Sequence, residues 1–187
     1  MKRLKKKLLL LIAGLCGALL AGTAAAQTPA ITETTVAQTD GTKEFTIGGS
    51  GSSNTDMDDS FGALDFSYGV FASPRTEWVL RQSLSYSNPD NGDNGWIAST
   101  RLAYDWHFAE DATTRPFLGV NAGRLYGNAV NDTWTAGIEG GAKFFMKPQT
   151  FVYALVSYDW LFDRGNQIDD RFDDGRLNWS LGIGYQF

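Results

Sequence analysis

From Lys43 to the end of the chain, bulky apolar side chains recur at every second position, with small or polar residues between them. The closing stretch LNWSLGIGYQF has the pattern at its cleanest. Leu177, Trp179, Leu181, Ile183, Tyr185 and Phe187 form one set, and Asn178, Ser180, Gly182, Gly184 and Gln186 form the other. Successive side chains of a strand point to opposite faces, so one face of this segment carries all the bulk and the other nothing large. No window carries convincing helical spacing, and turn residues separate the period-two runs. The pattern predicts eight strands, near residues 43 to 51, 60 to 72, 77 to 87, 96 to 108, 116 to 126, 134 to 146, 151 to 162 and 176 to 187.

Two segments set the register. In WIASTRLAYDWHF, Ile97, Ser99, Arg101, Ala103, Asp105 and His107 oppose Trp96, Ala98, Thr100, Leu102, Tyr104, Trp106 and Phe108. In WTAGIEGGAKFFM, Trp134, Ala136, Ile138, Gly140, Ala142, Phe144 and Met146 oppose Thr135, Gly137, Glu139, Gly141, Lys143 and Phe145. One face suits hydrocarbon and the other does not. Aromatics stand at the ends of the apolar face, where an amphipathic ring favours a membrane–water boundary, while its middle is Ala, Leu, Ile or Thr. A soluble lipocalin-like barrel would put its larger apolar set inside and has no reason to band its aromatics. Most segments also match the roughly 9 to 11 residues that a tilted strand needs to cross a bilayer.

Backbone polar groups cannot stay unpaired in hydrocarbon, so crossing strands must close on themselves. The expected fold class is therefore all-β, an eight-stranded antiparallel transmembrane up-and-down β-barrel. An even number of strands puts both termini on one side, the periplasmic one for an exported chain. SPRT, AEDATTR and KPQ then become periplasmic turns, and SSNTDMDD, NPDNGDNG, GNAVNDT and DRGNQIDDRFDDG outer loops.

The N-terminus supplies the export signal. MKRLKKKLLLLIAGLCGALLAGTAAAQ places five basic residues before an apolar run and then small residues, the order of a secretory signal peptide cleaved after Ala26. The run is shorter than the roughly 20 residues of a spanning helix. Leu15 before Cys16 argues against a lipoprotein, so the single cysteine leaves with the signal and no disulfide is expected. The expected organisation is a signal peptide at 1–26, a flexible periplasmic leader at 27–42 and the barrel at 43–187. Cleavage leaves 11 basic residues against 21 acidic, a balance of −10, which disfavours nucleic acid as a partner.

RPFLGVNAG, GIEGGAKFF and the closing LGIGYQF give residues 43–187 a resemblance to the small eight-stranded outer-membrane proteins of the OmpA and OmpX type. The resemblance implies a Gram-negative outer membrane, with its lipid and lipopolysaccharide as surroundings. It also implies that the terminal Phe187, preceded at alternate positions by Tyr185, Ile183 and Leu181, is the signal read by the barrel-assembly machinery. No peptidoglycan-binding domain of the kind carried by OmpA is expected after strand eight. The motifs specify architecture and leave activity open.

An eight-stranded barrel is only wide enough for its side chains to fill it. In the register above the lumen holds Asp65, Arg81, Arg101, Asp105, Glu139, Lys143 and Asp159 among Ser, Asn and Gly. Mixed charges in so narrow a space most simply pair and block it, since an unpaired one is costly. Partner swapping along a gated ion path is the functional alternative. Arg101 and Glu139 fall at similar depth, with Arg81, Asp105 and Lys143 in a lower group, so Glu139 is expected to serve Arg101 or a neighbouring cation.

Candidate enzyme chemistry rests on the single histidine, His107. Barrel enzymes that modify lipid A place theirs near the outer leaflet, whereas His107 falls inward at the periplasmic end, with no Ser-His-acid set readable around it. It also supplies too few ligands for zinc, and no cofactor is expected. Acidic outer loops (Asp56, Asp58 and Asp59; Asp90 and Asp93; Asp163, Asp169, Asp170, Asp173 and Asp174) could hold divalent ions or a surface partner, but no stretch has EF-hand spacing. Arg124 breaks the outward apolar pattern near the outer rim, where it can snorkel to the interface or contact a lipopolysaccharide phosphate. The function expected is non-enzymatic, an envelope-structural or surface-interaction role through the loops. A narrow channel and a lipid A-modifying enzyme are the alternatives.

Overall fold

The computed structural model describes residues 38–53, 60–88, 93–109, 113–162 and 175–187, all within the compact unit Thr35–Phe187. The expected signal peptide, most of the leader and most of the acidic loop residues lie outside the described residues.

The described residues form β1 (Lys43–Ser53), β2 (Ser60–Ser73), β3 (Thr76–Asn88), β4 (Gly95–His107), β5 (Thr114–Gly127), β6 (Thr133–Phe145), β7 (Thr150–Phe162) and β8 (Gly175–Gln186). No end departs by more than two residues from the expected one. Each strand pairs antiparallel with its neighbours, and β1 meets β8 to close the barrel. Closure is the shortest ladder, running from Glu44 opposite Gln186 to Gly48 opposite Gly182. The backbones of Lys43 and Phe187 exchange hydrogen bonds of 2.9 and 2.8 Å, which fastens both ends of the barrel chain at one rim. That rim also carries the short β2–β3, β4–β5 and β6–β7 connections and is called the base below. Residues 39–42 are tied to it too. Gly41 N donates to Phe71 O at 2.9 Å and Phe71 N to Thr42 O at 2.8 Å, so the attached structure begins before the expected boundary at 43.

Burial is inverted relative to a soluble fold. Trp134, Trp179, Leu118, Val120, Ile138, Leu181 and Ile183 each expose more than half of their surface outward, whereas Asp105, His107, Glu77 and Arg115 are wholly buried. Trp78, Tyr104 and Trp106 band the base half of the outer wall, and Tyr86, Trp96 and Trp134 the loop half.

Glycines on the inner face make room for this polar interior. Gly119 stands directly opposite Asp105, Gly123 opposite Arg101, Gly137 opposite Asp159, and Gly184 opposite Phe151. At Gly119 a Cβ would overlap the Asp105 carboxylate and lie 2.8 Å from the Tyr104 carbonyl, so the side chain of one strand lies flat over the bare backbone of the next. The alternate glycines of the closing strand have the same purpose, since Gly184 and Gly182 receive the rings of Phe151 and Tyr153. Gly119→Ala is therefore expected to lower stability by about 1–3 kcal/mol, the usual cost of overpacking. A shift of the urea midpoint, followed by the heat-dependent gel mobility of the folded barrel, measures it.

Candidate functional site

The lumen holds the chemistry, arranged in three tiers. Nearest the base, Lys143 on β6 reaches across to Glu77 on β3, with Nζ donating to Oε2 at 2.7 Å, and also to Glu44 on β1. His107 Nε2 lies 3.1 Å from the same Glu77 oxygen. The Lys143 ammonium sits within 5.3 to 5.7 Å of the ring centres of Phe71, Phe151 and Phe117, close enough for cation–π attraction. The Arg115 guanidinium lies 4.3 Å from the centre of the Phe145 ring and donates to Gln186 at 3.4 Å.

In the middle tier, Arg81 holds two carboxylates at once. Its Nε donates to Glu139 Oε1 at 2.8 Å and its Nη2 to Asp105 Oδ2 at 2.7 Å. Asn121 satisfies the other Glu139 oxygen at 3.0 Å. Toward the loop end, Arg101 Nη1 donates to Ser157 Oγ at 2.8 Å and to Asp159 Oδ2 at 3.1 Å, with Asn178 Nδ2 on the same Asp159 oxygen at 2.8 Å. Of the cations expected to serve Glu139, Arg101 or a neighbour, Glu139 pairs with the neighbour Arg81. Neighbouring strands are displaced along the barrel axis, so the Arg81 guanidinium on β3 reaches across to the Glu139 carboxylate on β6.

All three ties join strands that share no backbone ladder: β3 to β6 through both Lys143–Glu77 and Arg81–Glu139, and β4 to β7 through Arg101–Asp159. They brace the barrel across its diameter, where backbone hydrogen bonds cannot.

The surroundings of the base tier differ from those expected. Instead of Ser, Asn and Gly, the charges there lie among Phe71, Phe117, Phe145, Phe151 and Tyr153, each at most 5% exposed. Phe145 and Phe151 meet at 5.1 Å with their planes tilted by 42°, and His107 lies between Phe71 and Phe117 at 5.2 and 5.5 Å. These rings fill the base of the lumen as an aromatic floor. Above the Arg101 tier the lumen widens into a cup of about 560 Å³, lined by Ser50, Asp65, Ser83, Ser99, Arg101 and Asn178 among others. Asp65 thus belongs to the cup and not to the ties.

Glu44, Glu77, Arg115 and Gln186 complete the base tier and were missed as site residues. Their parity could have found them, since Glu77 stands four positions from Arg81 and Gln186 two from Gly184. Leu181, Ile183, Tyr185 and Phe187 line the outer wall of β8, all exposed. Arg124 is on the outer wall as well, half exposed and paired with Asp132 at 2.8 Å. His107 lies in the base tier against the Glu77 carboxylate, and no hydroxyl is bonded to it among the described residues. Among the same residues no cluster of three or more metal-ligating side chains occurs.

No family model matches the sequence, and no curated protein matches it either. Solved structures do match the fold. The N-terminal β-barrel domain of Pseudomonas aeruginosa OprF aligns over 80% of this chain and 98% of its own, with 16% identity and a TM-score of 0.51. Neisserial surface protein A aligns over 78% and 96%, with 12% identity and a TM-score of 0.55. The P. aeruginosa outer membrane protein OprG aligns over 81% and 98%, with 12% identity and a TM-score of 0.52. The chain thus has the fold of the small eight-stranded outer-membrane β-barrels.

Proposed function

We propose that the chain is an integral outer-membrane barrel that serves as a closed anchor and presents its loop end to the cell exterior, without catalysis. The observation that carries this reading is the asymmetry of the lumen, sealed at the base by aromatic rings around paired charges and open as a cup at the other end. The fold neighbours and the exposed apolar wall support membrane insertion. With the termini in the periplasm, the cup and the acidic loops face outward. The role is then envelope-structural, or one of contact with lipopolysaccharide or another surface partner, and one of the fold neighbours is itself named a surface protein. Assembly through recognition of the Phe187 strand belongs to the same reading. His107 at the sealed floor, bonded to Glu77 and remote from the cup, speaks against a lipid-modifying active site.

Single-channel recording on the folded protein in planar bilayers tests this. The expected result is no discrete current steps from protein whose heat-dependent gel shift proves it folded. Reproducible steps would move the narrow-channel reading to the front, with partner exchange at Arg81 as its natural gate.

A further inference from the structure

The barrel is not zipped along its whole closing seam. β1 pairs with β8 from Glu44 opposite Gln186 to Gly48 opposite Gly182. Toward the loop end β1 continues to Ser53 paired with β2, and β8 runs up to Gly175 paired with β7, but among the described residues no ladder joins the two facing edges there. Carried on, the same register would set Gly49 beside Leu181, Ser50 beside Ser180 and Ser53 beside Leu177. The strands touch at Gly48, where an added Cβ would stand 2.5 Å from the Leu181 carbonyl oxygen, whereas at Gly49 the nearest atoms are those of Ala63 and Leu64 on β2.

The gap begins within the apolar band of the wall. Gly49 stands opposite Leu64 on β2 and Leu181 opposite Ala154 on β7, with Leu64, Leu181 and Trp179 all exposed outward. Strand edges cannot stay without hydrogen-bond partners in hydrocarbon. The cup offers partners from within, since Ser50 of one edge and Asn178 and Ser180 of the other line it. The seam is thus a slot with a polar inner side and an apolar outer side, which suits an amphiphile. A strand from a second copy would need both edges free along its length, and they are zipped below Gly48.

Two groups in the cup select the head of that amphiphile. Asp65 stands directly beside Gly48 at the foot of the slot, and its carboxylate has no hydrogen bond or ion pair among the described residues. Arg101, 7% exposed, uses Nη1 for Ser157 and Asp159, and its Nε and Nη2 bond nothing among the described residues. The two groups attract each other without meeting. A hydroxyl serves both, because it donates to a carboxylate and accepts from a guanidinium. An ammonium would meet Arg101 and Arg176, and a carboxylate would meet Asp65 and Asp159. Water bridging the pair would not explain a slot open to lipid.

We propose that the slot between β1 and β8 binds a small amphiphile with an alcohol head. Its hydroxyl lies between Asp65 and Arg101 in the cup, and its alkyl chain leaves through the seam against Leu181 and Trp179. The proposal rests on the membrane-embedded reading above.

Photolabelling tests it. The full protein is reconstituted in bilayers with octanol that carries a diazirine beside the hydroxyl, illuminated, and its labelled peptides mapped by mass spectrometry. Label is expected at Ser50, Asn178 and Ser180 in excess of the outer wall of β5, where Leu118 and Val120 meet the same bilayer. Asp65→Leu should lower that excess roughly tenfold, the worth of one hydrogen bond to a charged group, without altering the folded gel mobility, and Asp65→Asn should keep part of it. A disulfide between Ser50→Cys and Ser180→Cys, which zips the seam, should abolish the excess, and reduction should restore it. Equal labelling by the amine or the carboxylic acid of the same chain would overturn the alcohol head and the proposal with it. So would label spread evenly over the wall, an excess that survives the closed disulfide, or a second copy of the chain crosslinked at the seam. Tryptophan fluorescence indifferent to brominated acyl chains would show a protein that never inserts and overturn the membrane reading itself, whereas inserted protein without the excess sinks this proposal alone.

Discussion

Arg81→Met is expected to lower stability by about 3–5 kcal/mol, because it leaves two buried carboxylates without their cation. Asp105 and Glu139 both bond the one guanidinium, and among the described residues neither carboxylate has another cationic partner within hydrogen-bond reach. The Asn121 amide would still serve Glu139. Methionine keeps the length of the side chain, so lost packing contributes little to the effect. Glu139→Ala should cost less, since Arg81 keeps Asp105, and its damage falls on the Arg81 tier and leaves Arg101 untouched. A triple variant carrying Arg81→Met, Asp105→Asn and Glu139→Gln should recover much of the loss, because it removes the charges together. Urea titration of the barrel in bilayers, read by the heat-dependent gel shift, ranks the variants. An Arg81→Met midpoint equal to that of the wild type would mean that the transverse ties contribute nothing to the wall.

Strand positions, the number of strands and the two faces were legible because a lipid-facing wall demands strict alternation and the chain obeys it almost throughout. β4 is the clearest case, with Arg101, Asp105 and His107 inward and Leu102, Tyr104 and Trp106 outward. β7 is where the signal fails. Phe151, Tyr153 and Leu155 point inward while Val152, Ala154 and Val156 point outward, so both faces are apolar near the base and polarity no longer tells them apart. The aromatic floor was hidden in that ambiguity. Glu77 and Arg115 were passed over for a different reason, since each lay at or just before an expected strand end, where parity is hardest to assign. The sequence left the cation for Glu139 open between Arg101 and a neighbour, and the choice of Arg81 was not legible. It depends on how far strands three apart are displaced along the barrel axis, which no local pattern encodes.

The floor and the ties do different work, and a substitution can separate them. Phe117→Ala combined with Phe151→Ala is expected to turn a silent barrel into a conducting one. These two rings come from β5 and β7, the strands on either side of β6, and with Phe71 they enclose the Lys143 ammonium. Without them Lys143 and His107 meet water from the periplasmic side, and a charge that faces water needs no fixed partner, so the base tier loosens. The wall itself should persist, because its ladders are backbone hydrogen bonds and the Arg81 and Arg101 ties stand above the damage. Each lost ring costs about 3–5 kcal/mol if its space stays empty and dry, less where water enters it. Folding must therefore be verified by gel shift before recording, with Phe151→Ala alone as the milder companion. The currents should favour cations, since Glu44, Glu77, Asp105 and Glu139 outnumber Lys143, Arg115 and Arg81 along the opened path. Reversal potentials in asymmetric potassium chloride would measure that preference. Continued silence from the folded double variant would place the seal at the Arg81 tier, and the aromatic floor would then be packing for the charges and not a barrier to ions.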